Sequence, residues 1–440
     1  MDCNKNILIV SSANPFIASG VLAVDFYNAL KKSGADVDFL TKEKSLEYPD
    51  FLYIKDNIIE KELIRLKRII HRIDFKLFRI ITRRNYEKYF QRCFFYKYEC
   101  KPPVSNRKLL KSLPNNKRYD FVLILFWQEM LSAVSLETLY DKYKCPIFIV
   151  CVDYSPMTGG CHFISDCSTF ENGCGACEIW YSKNKKDFTY KNALEKKRIY
   201  EKIHPVMLVN KYMDENYASK SPILENIRKE YIFPVINEDK FCPVDKSLAK
   251  KELNIDENKK VIFFACQNLN DKKKGGKYVL DAMNIFYNNL SNNERENILV
   301  ILAGHAGKEI GSIVKFNCKT YGYVDSKMLI KLYQASDVYL SGSVIDAGPM
   351  MVNQAISCGV PVVAFNIGTA IDVINGKNTG FVAKEISSQA FADGIKWWYL
   401  LSPGEYKIVV DNCRNMALST TSYKACADFF SQLYDNYLIK

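Results

Sequence analysis

Residues 346–359 read DAGPMMVNQAISCG, and the apolar run VPVVAF follows directly. A Gly-Pro turn that opens a short helix leaves first-turn backbone N–H groups without internal partners, pointing at whatever lies above the sheet. Pro349, Met350 and Met351 head that helix. A phosphate or diphosphate suits them; an αβ turn that binds nothing looks the same. Upstream, DKKKGGKYVLDAM sets three lysines before two glycines. Lys274, with Lys272 beside it, is the candidate for stabilising charge on diphosphate oxygens, and Gly275 and Gly276 allow close backbone approach. A solvated lysine run is the competing reading.

A second group lies in the first half. Asp153 follows the apolar run at residues 146–152. It is read either as a cleft-facing carboxylate that orients or activates a substrate, or as a cap on the next turn. Cys161, Cys167, Cys174 and Cys177 have five, six and two residues between them. Four thiolates suit tetrahedral Zn²⁺, with His162 as a substitute ligand; such a site has no open position and would be structural. Packed thiols, or a redox-labile Cys174/Cys177 pair, are the alternatives.

The elements that must position these groups alternate strand and helix. Residues 7–11, 37–41, 120–126, 146–152, 206–210 and 232–234 read as strands of a first half. A polar stretch near 237–260 separates the halves. The rhythm restarts with strands at 261–265, 298–303, 322–324, 338–341 and 361–365. Such alternation predicts parallel sheets, with ligands taken at the carboxyl ends of the strands. No GxGxxG occurs, which disfavours a nicotinamide or flavin enzyme.

At 440 residues with 48% hydrophobic content, the chain is long enough for two full cores. No run of about 18 apolar residues suggests a membrane span. The start, MDCNKNILIVSSANPF, reads as a first strand and loop rather than a signal peptide, which predicts a cytoplasmic protein. Fifteen cysteines in that compartment imply mostly packed thiols. The net charge of +12 is concentrated between residues 61 and 97, where Lys and Arg alternate with Leu, Ile, Phe and Tyr. Rings beside cations suit an anionic bilayer surface; a helix with one solvated basic face is the other reading. No nucleic-acid-binding signature accompanies the charge.

Taken together, these motifs resemble the retaining GT-B glycosyltransferases of family 4. The resemblance is firmest from about residue 260 to 385. It rests on Lys274-Gly275, the Gly322-Tyr323-Val324 strand, LYQASDVYLSGS, and Asp346, Pro349, Gln354, Cys358-Gly359, residues 361–365 and Gly368. In the first half, Asp153, Thr158, Gly159, Gly160, Cys161, His162, Cys167, Cys174 and Cys177 resemble the TGGCH…C…GCxxC block of an envelope-polysaccharide subgroup. The family's pair of glutamates is Asp346 and Gln354 here, and its arginine before the Lys-Gly turn is missing from CQNLND.

The resemblance implies an α/β protein of GT-B fold, two Rossmann-like doubly wound domains facing each other across a cleft. The expected boundaries are residues 1–236 for acceptor binding, with a basic aromatic insertion at 61–100 and a Cys-rich loop at 153–180. Residues 237–412 would bind the nucleotide sugar, and 413–440 form a terminal helix packing back on the first domain. The implied activity is a retaining transfer of hexosyl type. The sugar passes from a UDP- or GDP-linked donor to a lipid-linked or polysaccharide acceptor of the cell envelope, on the inner face of the membrane. Lys274, Asp346 and Asp153 would be catalytic. Gly275, Gly276, Lys272, Pro349, Met350, Met351 and Gln354 would hold the donor; Gly20, Trp127, Thr158, Gly159 and Gly160 would meet the acceptor. No cofactor is required, and the four cysteines are the candidate structural zinc site. The alternatives are a non-catalytic nucleotide-sugar-binding subunit, suggested by Gln354, and a sugar-nucleotide epimerase of the same fold.

Overall fold

The computed structural model describes residues 5–15, 18–42, 44–55, 94–164, 166–374 and 376–438. Most of the basic aromatic insertion therefore lies outside the described residues. The chain divides into two compact units. The first comprises Met1–Val209, Asp214–Tyr231 and Tyr434–Lys440; the second, Asn210–Met213 and Ile232–Leu433.

The first unit holds β1 (Asn6–Val10), β2 (Asp36–Thr41), β3 (Leu52–Tyr53), β4 (Phe121–Ile124), β5 (Ile147–Val150), β6 (Val206–Val209) and β7 (Lys229–Tyr231). They form one parallel sheet in the order β3-β2-β1-β4-β5-β6-β7. In β4, β5 and β6 every residue is buried, so these short strands read as unbroken apolar runs. The end of the last helix, Tyr423–Leu438, completes this unit. The Tyr434 hydroxyl donates to Asp120 at 3.2 Å, and the same carboxylate accepts the Asn6 N–H at 2.7 Å. Tyr434 and Tyr437 also set their rings against Phe121 and Phe148.

The second unit holds β8 (Lys260–Asn268), β9 (Ile298–His305), β10 (Asn317–Tyr321), β11 (Val338–Ser341), β12 (Val362–Phe365) and β13 (Gly380–Ala383). Their order, β10-β9-β8-β11-β12-β13, is also wholly parallel. Val261, Phe263 and Ala265 turn to one face of β8, and Ile262, Phe264 and Cys266 to the other. Helices cover both faces. Each fully buried Val, Ile or Phe contributes about 1.5–3 kcal/mol, so a strand covered on both sides needs no polar alternation.

Two strands lie elsewhere than the sequence suggests. Residues 232–234 are not a strand; β7 forms just before them, on the sequence KEY, as an edge with little apolar content. Pro234 carries no N–H for a ladder. Residues 322–324 follow β10 rather than form it.

In each unit the strand order reverses once, between β1 and β4 and between β8 and β11. Doubly wound sheets take ligands at the carboxyl ends of the strands beside such a switch point.

Candidate functional site

In the second unit the loops leaving β8 and β11 rise side by side at the switch point. The first runs through a 3-10 turn, Lys272–Lys274, whose preceding Asp271 caps the Lys273 N–H at 3.0 Å. The second is tied to it where Val344 N–H donates to Lys273 O at 2.8 Å. Gly275 has φ +60, and a Cβ there would stand 1.9 Å from Gly342 O. Only glycine permits this contact, which sets the height of Lys274 above the sheet. Gly276 opens the helix Gly276–Asn288 against Leu269 O.

Lys274 Nζ meets Asp346 Oδ2 at 2.5 Å, with side-chain exposures of 35% and 13%. Asp346 also accepts from Ser343 Oγ at 3.3 Å and from Gly348 N–H at 3.1 Å. Burial pushes the Asp346 carboxyl up, but the Lys274 charge and these donors outweigh it and hold the group below the usual carboxylate range. Burial likewise pulls Lys274 down, and Asp346 more than restores it, so the ammonium stays charged.

Beyond Pro349, which makes no side-chain cap, the helix Met350–Ser357 begins with Met350 and Met351 half-buried. Gln354 Oε1 accepts from the Tyr333 hydroxyl at 3.4 Å, and that hydroxyl also reaches Met351 O at 3.2 Å. Asn210 Nδ2 donates to Ala347 O at 2.5 Å and fixes the turn between Asp346 and the helix. Lys272 is exposed. A cation, a largely buried carboxylate and an uncapped helix start thus stand together at the switch point, a combination suited to an anionic group attached to a polyol.

In the first unit Asp153 is 2% exposed rather than open. Its carboxylate bonds His162 Nδ1 at 2.9 Å, the Tyr96 hydroxyl at 3.0 Å and the Ser155 N–H at 2.8 Å. Burial raises this carboxyl, and His162 and Ser155 bring it below the ordinary range. Thr158 is buried, and its Oγ1 accepts from the N–H groups of Gly160 and Cys161. Gly159 packs against Thr189 O and Gly160 against Tyr96 O, so neither site has room for a Cβ. Trp127 is buried, with Nε1 directed to Glu99 Oε1 at 3.4 Å. Gly20 is packed under the backbone of Asn14 and Pro15.

The residue beneath this loop was not legible as functional. Lys196, fully buried, lies 3.0 Å from Glu99 Oε1 and donates to Ser155 O at 2.5 Å and Thr158 O at 2.9 Å. It sits on the helix Phe188–Ile203, whose buried positions include Asn192, Ala193, Lys196, Ile199, Tyr200 and Ile203. That spacing was the available signal: a lysine on the apolar stripe rather than across from it.

Among the described residues, no group of three or more His, Cys, Asp or Glu side chains is set to hold a metal ion. The four cysteines are nevertheless neighbours: after burial, the thiols of Cys174, Cys177 and Cys167 raise the Cys161 thiol well above its usual range. The Gly159 N–H donates to Cys174 Sγ at 3.1 Å, and Cys174 is pushed up to about 11, chiefly by burial.

Residues 245–416 match the family described as Glycosyl transferases group 1. No curated protein matches the chain. Among solved structures, a glycosyltransferase from Rickettsia africae is 16% identical, with 99% of each chain covered and a TM-score of 0.63. Sucrose-phosphate synthase from Thermosynechococcus elongatus is 15% identical, again over 99% of each chain, with a TM-score of 0.61. Anabaena HepE in complex with UDP and glucose is 11% identical over 98% of this chain and 100% of its own, with a TM-score of 0.59. These likenesses establish the fold, two Rossmann-like α/β domains of GT-B type. The family match relates the chain to glycosyltransferase enzymes.

Proposed function

We propose that the chain is a retaining glycosyltransferase. It moves a hexosyl group from a UDP- or GDP-linked sugar to a lipid-linked or polysaccharide acceptor of the cell envelope. The observation that carries this reading is the Lys274–Asp346 pair at the β8/β11 switch point, beside the start of helix Met350–Ser357. Lys274 and the N–H groups near Met350 and Met351 meet the diphosphate, whose charge grows as the anomeric bond breaks. Asp346 orients sugar hydroxyls, and Gln354 holds the ribose. HepE, of the same fold, has been crystallised with UDP and with UDP-glucose, which supports a nucleotide-sugar donor. The first unit receives the acceptor at the loop of Asp153, Thr158, Gly159 and Gly160, with Gly20 and Trp127 shaping its surroundings.

The reading extends to three further points. The domain roles follow the expected division near residue 236, with the acceptor on the first part and the nucleotide sugar on the second; residue 413 falls inside the helix Pro403–Thr420 rather than opening a terminal helix, and the segment that joins the first unit begins at Tyr434. The insertion at 61–100 lies on an anionic membrane surface; among the described residues no helix is long and apolar enough to cross a bilayer. Cys161, Cys167, Cys174 and Cys177 hold a structural zinc, a reading supported by four cysteines within one short loop, two of them with two residues between them. Freshly purified protein should then carry near-stoichiometric zinc.

A thermal-shift screen of nucleotide sugars followed by a turnover assay tests the main reading, since a bound donor must stabilise the fold. Stabilisation by a nucleotide sugar, with release of its nucleoside diphosphate and retained anomeric configuration, is expected. Tight donor binding without transfer or slow hydrolysis would favour the non-catalytic subunit, to which the uncharged Gln354 points.

A further inference from the structure

The loop after β5 is built around an imidazole. Asp153 lies three residues beyond Val150, the last residue of β5, at the carboxyl edge of the parallel sheet. Tyr154 N–H donates to His162 O at 3.3 Å, which folds the loop back and returns His162 to that edge. There, Asp153 Oδ2 binds His162 Nδ1 at 2.9 Å. The ring is 23% exposed while its partner carboxylate is 2% exposed. Tyr96, buried behind them, donates its hydroxyl to the same carboxylate at 3.0 Å. Among the described residues no hydrogen bond engages His162 Nε2.

Such a fully donated carboxylate behind one ring nitrogen fixes both the plane and the tautomer of a histidine. With Nδ1 turned to Asp153, Nε2 is the ring atom left for a further partner. Satisfying Asp153 alone did not require this: Tyr96 and Ser155 already donate to it. Aromatic surface adjoins the imidazole. The Phe94 ring lies 5.5 Å from the imidazole centroid at 31° and is 38% exposed, and Phe163 stands edge-on at 4.4 Å. An acceptor atom beside an exposed ring matches a saccharide, which offers hydroxyls at its rim and an apolar C–H face.

The foundation under this loop is rigid. Lys196 gathers Ser155 O and Thr158 O, and Thr158 Oγ1 accepts from the N–H groups of Gly160 and Cys161. Asn192 Nδ2 donates to Gly159 O at 3.1 Å. Rigid support of this kind holds a contact group in place before substrate arrives.

We propose that His162 is the substrate-contacting side chain of the first unit, its Nε2 accepting a hydrogen bond from a hydroxyl of the saccharide acceptor. Asp153 is then a positioning residue that acts through His162. The assignment rests on the transferase reading for the identity of its ligand, but the geometry of the dyad does not.

The test compares full-length protein labelled with ¹⁵N-histidine to His162→Asn. Asparagine keeps a bonding atom near the place of Nδ1 and deletes the group at Nε2. The His162 signal, identified by its loss in the variant, is expected to be the Nδ1–H tautomer. Its Nε2 resonance should move when free hexoses or methyl glycosides are added. In transfer assays, His162→Asn should lower kcat/KM for the acceptor about tenfold, the size of one hydrogen bond of ordinary strength, with donor binding unchanged. Asp153→Asn should lower it comparably, and His162→Gln, whose amide reaches the place of Nε2, should recover part of the loss. An Nε2–H tautomer, an Nε2 resonance indifferent to every saccharide, or wild-type acceptor kinetics in His162→Asn overturns the proposal. So does zinc that is bound by the wild type and lost from His162→Asn. If the wild type transfers nothing from any donor, the transferase reading fails, and the tautomer and saccharide arms still decide the role of His162.

Discussion

Lys274 and Asp346 hold each other at 2.5 Å, although 72 positions separate them in the chain. The cation assigned to the donor diphosphate is therefore already neutralised, and the carboxylate assigned to the sugar is already engaged. On the proposed reading, a diphosphate at Lys274 would add negative charge beside Asp346, and the helix start at Met350 would offset it with positive potential.

Lys274→Ala should abolish most turnover and weaken donor binding, measured by calorimetry with the donor found in the thermal-shift screen. It should also cost stability, about 1–3 kcal/mol, since it strands a largely buried carboxylate while water still screens part of the site. Lys274→Met with Asp346→Asn should recover the stability and not the turnover. Unchanged turnover in Lys274→Ala would sink the phosphate assignment.

The same pair sets a pH window. Asp346 is held below its ordinary range, so its contribution is present above the unfolded carboxyl value of about 3.9 and is lost as pH falls through the folded value. Lys274 is held above its ordinary range, so its contribution is present below about 10.4 and is lost as pH rises through the folded value. Urea unfolding should find wild type and the double variant of similar stability between about pH 5 and 9, with the wild type falling below the double variant on both sides. A difference that peaked sharply near neutrality would contradict this.

Lys196→Met should be more damaging than any surface lysine change, by about 3–5 kcal/mol, because it leaves Glu99 charged and buried. Glu99 also accepts the Ala133 N–H at 3.0 Å and the Trp127 indole, so the loss spreads to the helix Ala133–Tyr143. Pairing Lys196→Met with Glu99→Gln should restore much of the deficit in a denaturant titration.

Gly275→Ala meets two obstacles at once, a left-handed φ and the Gly342 carbonyl. The β8 and β11 loops must separate to admit it, which moves Lys274 relative to Asp346. The thermal shift produced by a nucleotide sugar should disappear in this variant, while Gly404→Ala, where a Cβ meets nothing within 4 Å, should keep it.

The central strands were readable because parallel strands covered on both faces are continuous apolar runs: FVLI, IFIV and VMLV announce themselves. The edges were not. β7 is KEY and β10 is NCKTY, with polar residues that a solvent-facing edge tolerates, and the apolar residues just beyond β7 drew the reading off by a few positions. At the site, residue types were legible and partnerships were not. Lys274 and Asp346 could each be picked from their turns, yet nothing local says that they touch. Asp153 stood out by its place after a strand, but its engagement by His162 and Tyr96 depends on a loop that doubles back. Lys196 escaped notice because a lysine is ordinarily solvated, and the apolar stripe around it was the only contrary sign.

The meeting of Asn6, Asp120 and Tyr434 constrains how the polypeptide matures. The amino-terminal half leaves the ribosome long before Tyr434 and Tyr437 do, so that half waits for the rings that pack on Phe121 and Phe148 until they emerge. Removing the turn that carries Tyr434 and Tyr437 would thus injure the lobe made first, and a nascent chain stalled shortly before Tyr434 would present sticky aromatic surface to chaperones.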